Sequence, residues 1–152
     1  MSVTFRETMA GEVSLLEPYP DGLTRRVPIT FTVEVTAPSP TAFATGATMT
    51  MAGDVRVGGL VESAPLAGTL RVDVLRSREL EYRFHFDGPP SNEGKKPEYA
   101  FVGRKRVRLH RLLKTMTWLD GTLTRDGRAI GTATLSFSLR DLPSFLRSFS
   151  LA

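Results

Sequence analysis

The chain contains no cysteine among its 152 residues, which excludes disulfides and thiolate metal sites and leaves stability to packing alone. Histidine occurs only at His85 and His110, and no cluster of His, Asp and Glu has the spacing of metal ligands, so no metal site is expected. A glycine-rich phosphate loop, a Gly-x-Ser-x-Gly elbow and a dinucleotide fingerprint are all lacking. The glycines lie within or between strand-like segments instead of at strand-to-helix turns. Nucleotide-dependent and serine-hydrolase chemistry therefore find no support, and no cofactor is expected. Nor is there a run of about 18 apolar residues, the length that crosses a bilayer as a helix. Met1 to Ala10 carries Arg6 and Glu7 without a continuous apolar segment. Neither a membrane span nor a signal peptide is expected, and the expected compartment is the cytoplasm.

What is present is ordinary globular material: 41% hydrophobic and 24% charged residues, far from the composition of disordered chains. Residues 1–152 read as a single domain, long enough to bury most of the surface that its unfolded form exposes. The net charge of +4 is spread along the chain and reads as solubility more than as a polyanion site.

Alternation with a period of two dominates the sequence. Val3, Phe5, Met9 and Val13 alternate with Thr4, Arg6, Thr8, Glu12 and Ser14. Val27, Ile29, Phe31, Val33 and Val35 form the cleanest such segment, and Met49, Met51, Val55 and Val57 form another, ended by Gly58-Gly59. Leu66 to Val74 and Leu80 to Phe86 read as a hairpin. A loop rich in glycine, proline and charge follows from Asp87 to Pro97. Glu98 to Leu109 is the next strand, and Leu113 to Thr124 is extended with apolar residues on both faces, which points to a bulge or two-sided burial. Asp126-Gly127 is a two-residue hairpin signal, leading into Ala129, Gly131, Ala133, Leu135, Phe137 and Leu139 on one face. Asp141 can cap a short helix with Pro143 in its first turn and Leu142, Phe145, Leu146 and Phe149 on one stripe.

About eight strands joined by short turns, with one C-terminal helix, predict an all-β fold: an antiparallel up-and-down β-barrel of calycin or lipocalin type, with a β-sandwich as the alternative. Two echoes support a curled sheet. Met9-Ala10-Gly11-Glu12-Val13 resembles Met51-Ala52-Gly53-Asp54-Val55, and Leu66-Ala67-Gly68-Thr69-Leu70 resembles Leu119-Asp120-Gly121-Thr122-Leu123. Glycines at matching strand positions mark bends where a sheet closes.

Two charges break the alternation. Glu7 and Lys105 fall where the pattern demands apolar residues, while Arg104, Arg106, Arg108 and His110 take the opposite, solvated face. An unpaired ion in a dry core costs several kcal/mol, so Glu7 and Lys105 must be paired, wet or shifted in pKa, unless a bulge turns one of them to solvent or a stem snorkels to the barrel mouth. In the first two cases they form the polar pole of a cavity whose apolar wall is Phe5, Met9, Phe31, Met49, Met51, Phe84 and Phe101, with methionine making that wall adaptable. The arginine face has few aromatics for base stacking, so a nucleic-acid partner is not expected.

The opening Phe5-Arg6-Glu7-Thr8-Met9-Ala10-Gly11, the strand Phe101-Val102-Gly103-Arg104-Lys105 with its threonine- and leucine-containing successor, and the close at Leu135 to Leu146 carry a resemblance. They resemble the β-rich accessory region found with some bacterial cholesterol-oxidase-like members of the glucose-methanol-choline oxidoreductases. The resemblance implies a connection with sterol or other lipid metabolism and no more; an oxidoreductase-type protein is an expected partner alongside a second copy of the chain. The flavin-binding glycine motif and the catalytic histidine of those oxidases are absent, so no oxidase activity and no catalytic residue is carried over.

The expected function is binding of an apolar or amphipathic, lipid- or sterol-like small molecule, as a carrier or accessory protein. Two alternatives stay open. One is a cyclase- or isomerase-type barrel enzyme with Glu7 as base and Lys105 as electrostatic partner. The other is a protein-interaction module, homodimers included, that uses the C-terminal apolar stripe.

Overall fold

The computed structural model describes residues 2–16, 25–42, 46–73, 79–90, 92–106, 118–137, 147 and 150–151. Strands β1 (Val3–Leu15), β2 (Arg26–Ala37), β3 (Thr48–Val57), β4 (Val61–Asp73), β5 (Glu79–Asp87), β6 (Glu98–Arg106), β7 (Trp118–Arg125) and β8 (Arg128–Ser136) follow one another. Each pairs antiparallel with its sequence neighbour, and β1 pairs with both β2 and β8, which closes the sheet. Closure sets aside the sandwich alternative and leaves an eight-stranded up-and-down barrel. A two-residue strand β9 (Ser150–Leu151), which no sequence pattern announced, pairs with Val3 and Thr4 of β1. The expected C-terminal helix, the outer-face positions Arg108 and His110, and the segment from Leu113 to Thr117 lie outside the described residues.

The barrel is staggered. From Phe5 the cross-strand partners run through Val35, Met51, Gly68, Phe84, Phe101, Leu123 and Gly131, and return to β1 at Leu15, ten residues from the start. Such a stagger tilts the strands against the barrel axis, and eight strands enclose just enough room for side chains or one small ligand.

Alternation decides which residues fill that room. Met9, Val13, Phe31, Val33, Val35, Met49, Val55, Phe101, Leu119, Leu123 and Leu135 are fully buried, while Arg6, Glu34, Arg56, Arg83, Arg104 and Arg106 face outward. The glycines of both sequence echoes occupy points of close approach. A Cβ at Gly11, Gly53 or Gly68 would collide with the carbonyl oxygen of Thr134, Thr32 or Arg83 on the next strand, and one at Gly121 would meet the Phe101 ring at 2.5 Å.

The turns follow the sequence signals. Asp126 (φ 49°) and Gly127 (φ 82°) both take positive φ, the geometry of the two-residue turn that matches strand twist. Asp126 also ties this turn to β6, because its N–H donates to the Glu98 carbonyl at 2.7 Å and its Oδ1 accepts from the Glu98 N–H at 2.9 Å. The described part of the Asp87–Pro97 loop is irregular as expected, and the Gly88 N–H donates to the Pro97 carbonyl at 2.9 Å across its base.

Three details differ from the sequence reading. Strand β4 begins at Val61 instead of Leu66; its register with β3 shifts between Val55 and Val57, so that Glu62 and Ser63 are both exposed and the alternation there is broken by a bulge. In β8 the pairing with β7 skips Ile130, and Ala129, expected on the inner face, is exposed. The extra residue reverses the parity on its far side. The bulge between β7 and β8 thus lies in β8, while Trp118 to Leu123 alternate cleanly, with Trp118 outside and Leu119 and Leu123 inside; the bulge or two-sided burial expected over Leu113 to Thr124 falls in part outside the described residues.

Candidate functional site: a cross-lumen ion pair with a phenol

Three polar side chains meet inside the barrel. Strand parity points Glu7 of β1, Tyr82 of β5 and Lys105 of β6 inward, and all three are buried. The Lys105 ammonium donates to Glu7 Oε1 at 2.9 Å and to the Tyr82 hydroxyl at 3.0 Å. The Tyr82 hydroxyl in turn donates to Glu7 Oε2 at 2.7 Å. Lys105 Nζ also lies 4.9 Å from the centre of the Tyr82 ring, within range of a cation–π attraction. Since β7 and β8 separate β6 from β1 on one side of the barrel, the Lys105–Glu7 bond spans the lumen, which the long lysine stem permits. Among the described residues no buried side-chain nitrogen or oxygen is left without a partner.

Electrostatics follow from that geometry. Burial raises the Tyr82 phenol well above its usual pKa, and the adjacent Glu7 charge and the hydrogen bond to it push in the same direction. The phenol therefore stays protonated and remains a donor to the carboxylate. Outside the barrel the charges are paired in a different regime. Arg83 and Arg104 both reach Glu81, Arg106 lies 3.8 Å from Glu79 and Arg6 3.8 Å from Glu34. The hydrogen bond from Arg83, with Arg104 adding to it, lowers the Glu81 pKa. These are exposed pairs worth at most about 1 kcal/mol each, and they neutralise part of the basic face seen in the sequence.

The apolar residues expected to line a cavity are all in the core, but they divide into two groups. Phe31, Phe84 and Phe101 pack on one another, with ring centres 5.1 Å apart for Phe31–Phe84, 5.0 Å for Phe84–Phe101 and 6.2 Å for Phe31–Phe101. Phe86 stacks on Tyr99 at 5.2 Å and extends this cluster toward the Asp87 end. Phe31 also reaches the Tyr82 ring at 6.2 Å, linking the aromatic cluster to the polar group. Phe5, Met9, Met49 and Met51 belong to the rest of the core. Met9 is the cross-strand partner of Phe31, Met51 of Val35, and Phe5 of Val35 from the other side. Gly103 stands opposite Tyr82, and a Cβ there would meet the Phe101 ring at 2.6 Å and Leu119 at 2.9 Å. Its bare backbone makes room for the phenylalanine beside the phenol.

Tyr82 is the residue that sequence reasoning missed. A tyrosine on an apolar face reads as one more aromatic, yet its hydroxyl needs a partner when buried, and that requirement was the available signal. His85 lies on the outer face, and among the described residues no group of three His, Cys, Asp or Glu is placed to hold a metal ion. No helix among them is long and apolar enough to cross a membrane.

A concavity lies away from this group, toward the Asp87 end of the barrel. An open groove of about 970 Å³ is bounded by Pro28, the turn from Val57 to Val61, and Asp87 to Pro90, with Arg56, Glu62 and Lys96 supplying charge. Lys105 pairs with Leu80 near the start of β5, whereas the groove touches Asp87 at its end. Tyr82 stands five residues before Asp87 on β5, about 17 Å at 3.3 Å per residue, and none of Glu7, Tyr82 and Lys105 lines the groove, so the groove and the polar group are distinct features. No protein-family model, no curated protein and no solved structure matches this chain.

Proposed function

We propose that the barrel binds one apolar or amphipathic small molecule at its inner face, as a carrier or accessory protein, with Glu7, Lys105 and Tyr82 as the polar pole and Phe5, Met9, Met49 and Met51 as adaptable wall. The observation that carries the reading is the placement of a hydrogen-bonded ion pair in an otherwise apolar lumen. For stability alone such a pair is a poor choice, because hydrophobic residues of similar volume do as well or better. For recognition it is useful, since a few fixed polar groups on an apolar wall orient a ligand. The resemblance to the oxidoreductase accessory region favours a sterol- or lipid-like ligand within this class.

Proton-transfer catalysis is the second reading. In it the Glu7 carboxylate acts as base, with the Lys105 ammonium 2.9 Å away as its electrostatic partner.

Native mass spectrometry of the purified protein, combined with displacement of the neutral probe Nile red by extracted lipids, tests the first reading. The expected result is a stoichiometric copurifying molecule, or saturable probe uptake that is lost when the pole is replaced. A protein that carries no molecule and takes up no probe overturns it. Turnover of the bound molecule would move the assignment to the second.

A further inference from the structure

The pole also constrains the ligand's chemistry, given the reading of the barrel as a ligand binder. As arranged, Glu7 and Lys105 neutralise each other and Tyr82 is uncharged, so the group as a whole carries no net charge. A ligand that brought a carboxylate or an ammonium into this interior would add an ion without a counter-ion, at the cost of burying an isolated charge.

The hydrogen-bond inventory adds a second constraint. A lysine ammonium has three N–H donors, and among the described residues Lys105 meets two oxygen acceptors, Glu7 Oε1 and the Tyr82 hydroxyl. The Tyr82 proton is committed to Glu7 Oε2. One charged N–H is therefore left to donate, and a hydrogen bond from a charged donor is the strong kind. We infer that the ligand is electrically neutral and ends in a single ketone or hydroxyl oxygen, which accepts this third N–H of Lys105 while its hydrocarbon body lies against the methionine and phenylalanine wall.

Probes of one chain length test this on the intact protein: methyl decyl ketone, lauryl alcohol, lauric acid, laurylamine and dodecane, each competed against Nile red near neutral pH below its aggregation threshold. The ketone and the alcohol are expected to bind about tenfold or more tighter than the acid, the amine and the alkane. In the Glu7→Gln, Lys105→Met double variant the ketone should fall to the level of dodecane while dodecane itself is unchanged. If that variant does not fold, the order of the five probes on the wild-type protein decides alone. An acid or amine that binds tightest, or a ketone no tighter than dodecane, overturns the inference and leaves ligand binding standing. Failure of every probe and of Nile red overturns ligand binding itself.

Discussion

Glu7 and Lys105 stand 98 residues apart in sequence and 2.9 Å apart across the lumen. No other described ion pair joins strands that are not neighbours in the sheet: Arg6–Glu34, Arg104–Glu81 and Arg106–Glu79 each follow a cross-strand register, and Arg83–Glu81 lies within one strand. A bond that crosses the interior requires the sheet to be curled until β1 and β6 face each other. It therefore reports that curling, where the outer pairs report only local pairing.

Removing one partner should be far worse than removing both. Lys105→Met leaves a buried carboxylate with only the Tyr82 hydroxyl to solvate it, and a loss of about 3–5 kcal/mol is expected. Glu7→Gln with Lys105→Met should recover much of that, and the coupling read from chemical denaturation of the four proteins measures the pair. Additive, near-neutral effects would mean that at least one of the two charges is solvated in solution.

Much of this was legible because parity is a strong signal. Once a strand alternates, the face of every residue is fixed, which is how Glu7 and Lys105 could be read as inward-facing without any contact in view. Parity does not say where a side chain ends, so the hydroxyl of Tyr82 stayed hidden among aromatics. It also carries straight through a bulge: Ala129, Gly131 and Ala133 alternate perfectly in the sequence, and only the pairing with β7 reveals that Ile130 is the extra residue and Ala129 is outside. The groove near Asp87 was illegible for a third reason. It is made by turns meeting in space, and no periodicity encodes that.

Tyr82 should give the protein a distinctive alkaline limb. Its pKa is raised in the folded state, so above the ordinary phenol value of about 10 the unfolded chain loses that proton while the folded one keeps it. Stability from this source is complete below about pH 10 and falls as pH rises further, by about 1.4 kcal/mol per pH unit. Tyr82→Phe should lose about 1–3 kcal/mol at neutral pH, through the hydrogen bond withdrawn from Glu7. Its stability should also decline less steeply than the wild type's above pH 10. Parallel alkaline limbs in the two proteins would show that Tyr82 ionises in the folded state much as it does in water.

The β7–β8 turn offers a local test. Asp126 combines a φ of 49° with hydrogen bonds to both backbone groups of Glu98. Asp126→Asn keeps a residue tolerant of that conformation and an acceptor oxygen, and is expected to stay within about 0.5 kcal/mol of wild type. Asp126→Ala forfeits the side-chain acceptor and the tolerance of positive φ that Asp and Asn share, and should cost about 1–2 kcal/mol by thermal denaturation. Equal stability of the two variants would show that Glu98 does not depend on this turn.

Gly103 and Gly68 make the sharpest comparison, because each lacks room for a Cβ but for different reasons. At Gly103 the obstacle is side chain: the Phe101 ring at 2.6 Å and Leu119 at 2.9 Å. Gly103→Ala should cost about 1–3 kcal/mol by overpacking. Phe101→Leu alone should cost a similar amount by leaving a void against Phe84. In the double variant the smaller leucine makes way for the new methyl, so the combined loss should be less than the sum by about 1 kcal/mol. At Gly68 the obstacle is the Arg83 carbonyl and the backbone of Phe84 on the paired strand, which no side-chain change can move. Gly68→Ala should therefore be equally damaging with or without Phe84→Leu. If the Gly103 pair proves additive, the Phe101 ring does not lean over that glycine, and the room it makes beside the Tyr82 phenol would have to come from elsewhere.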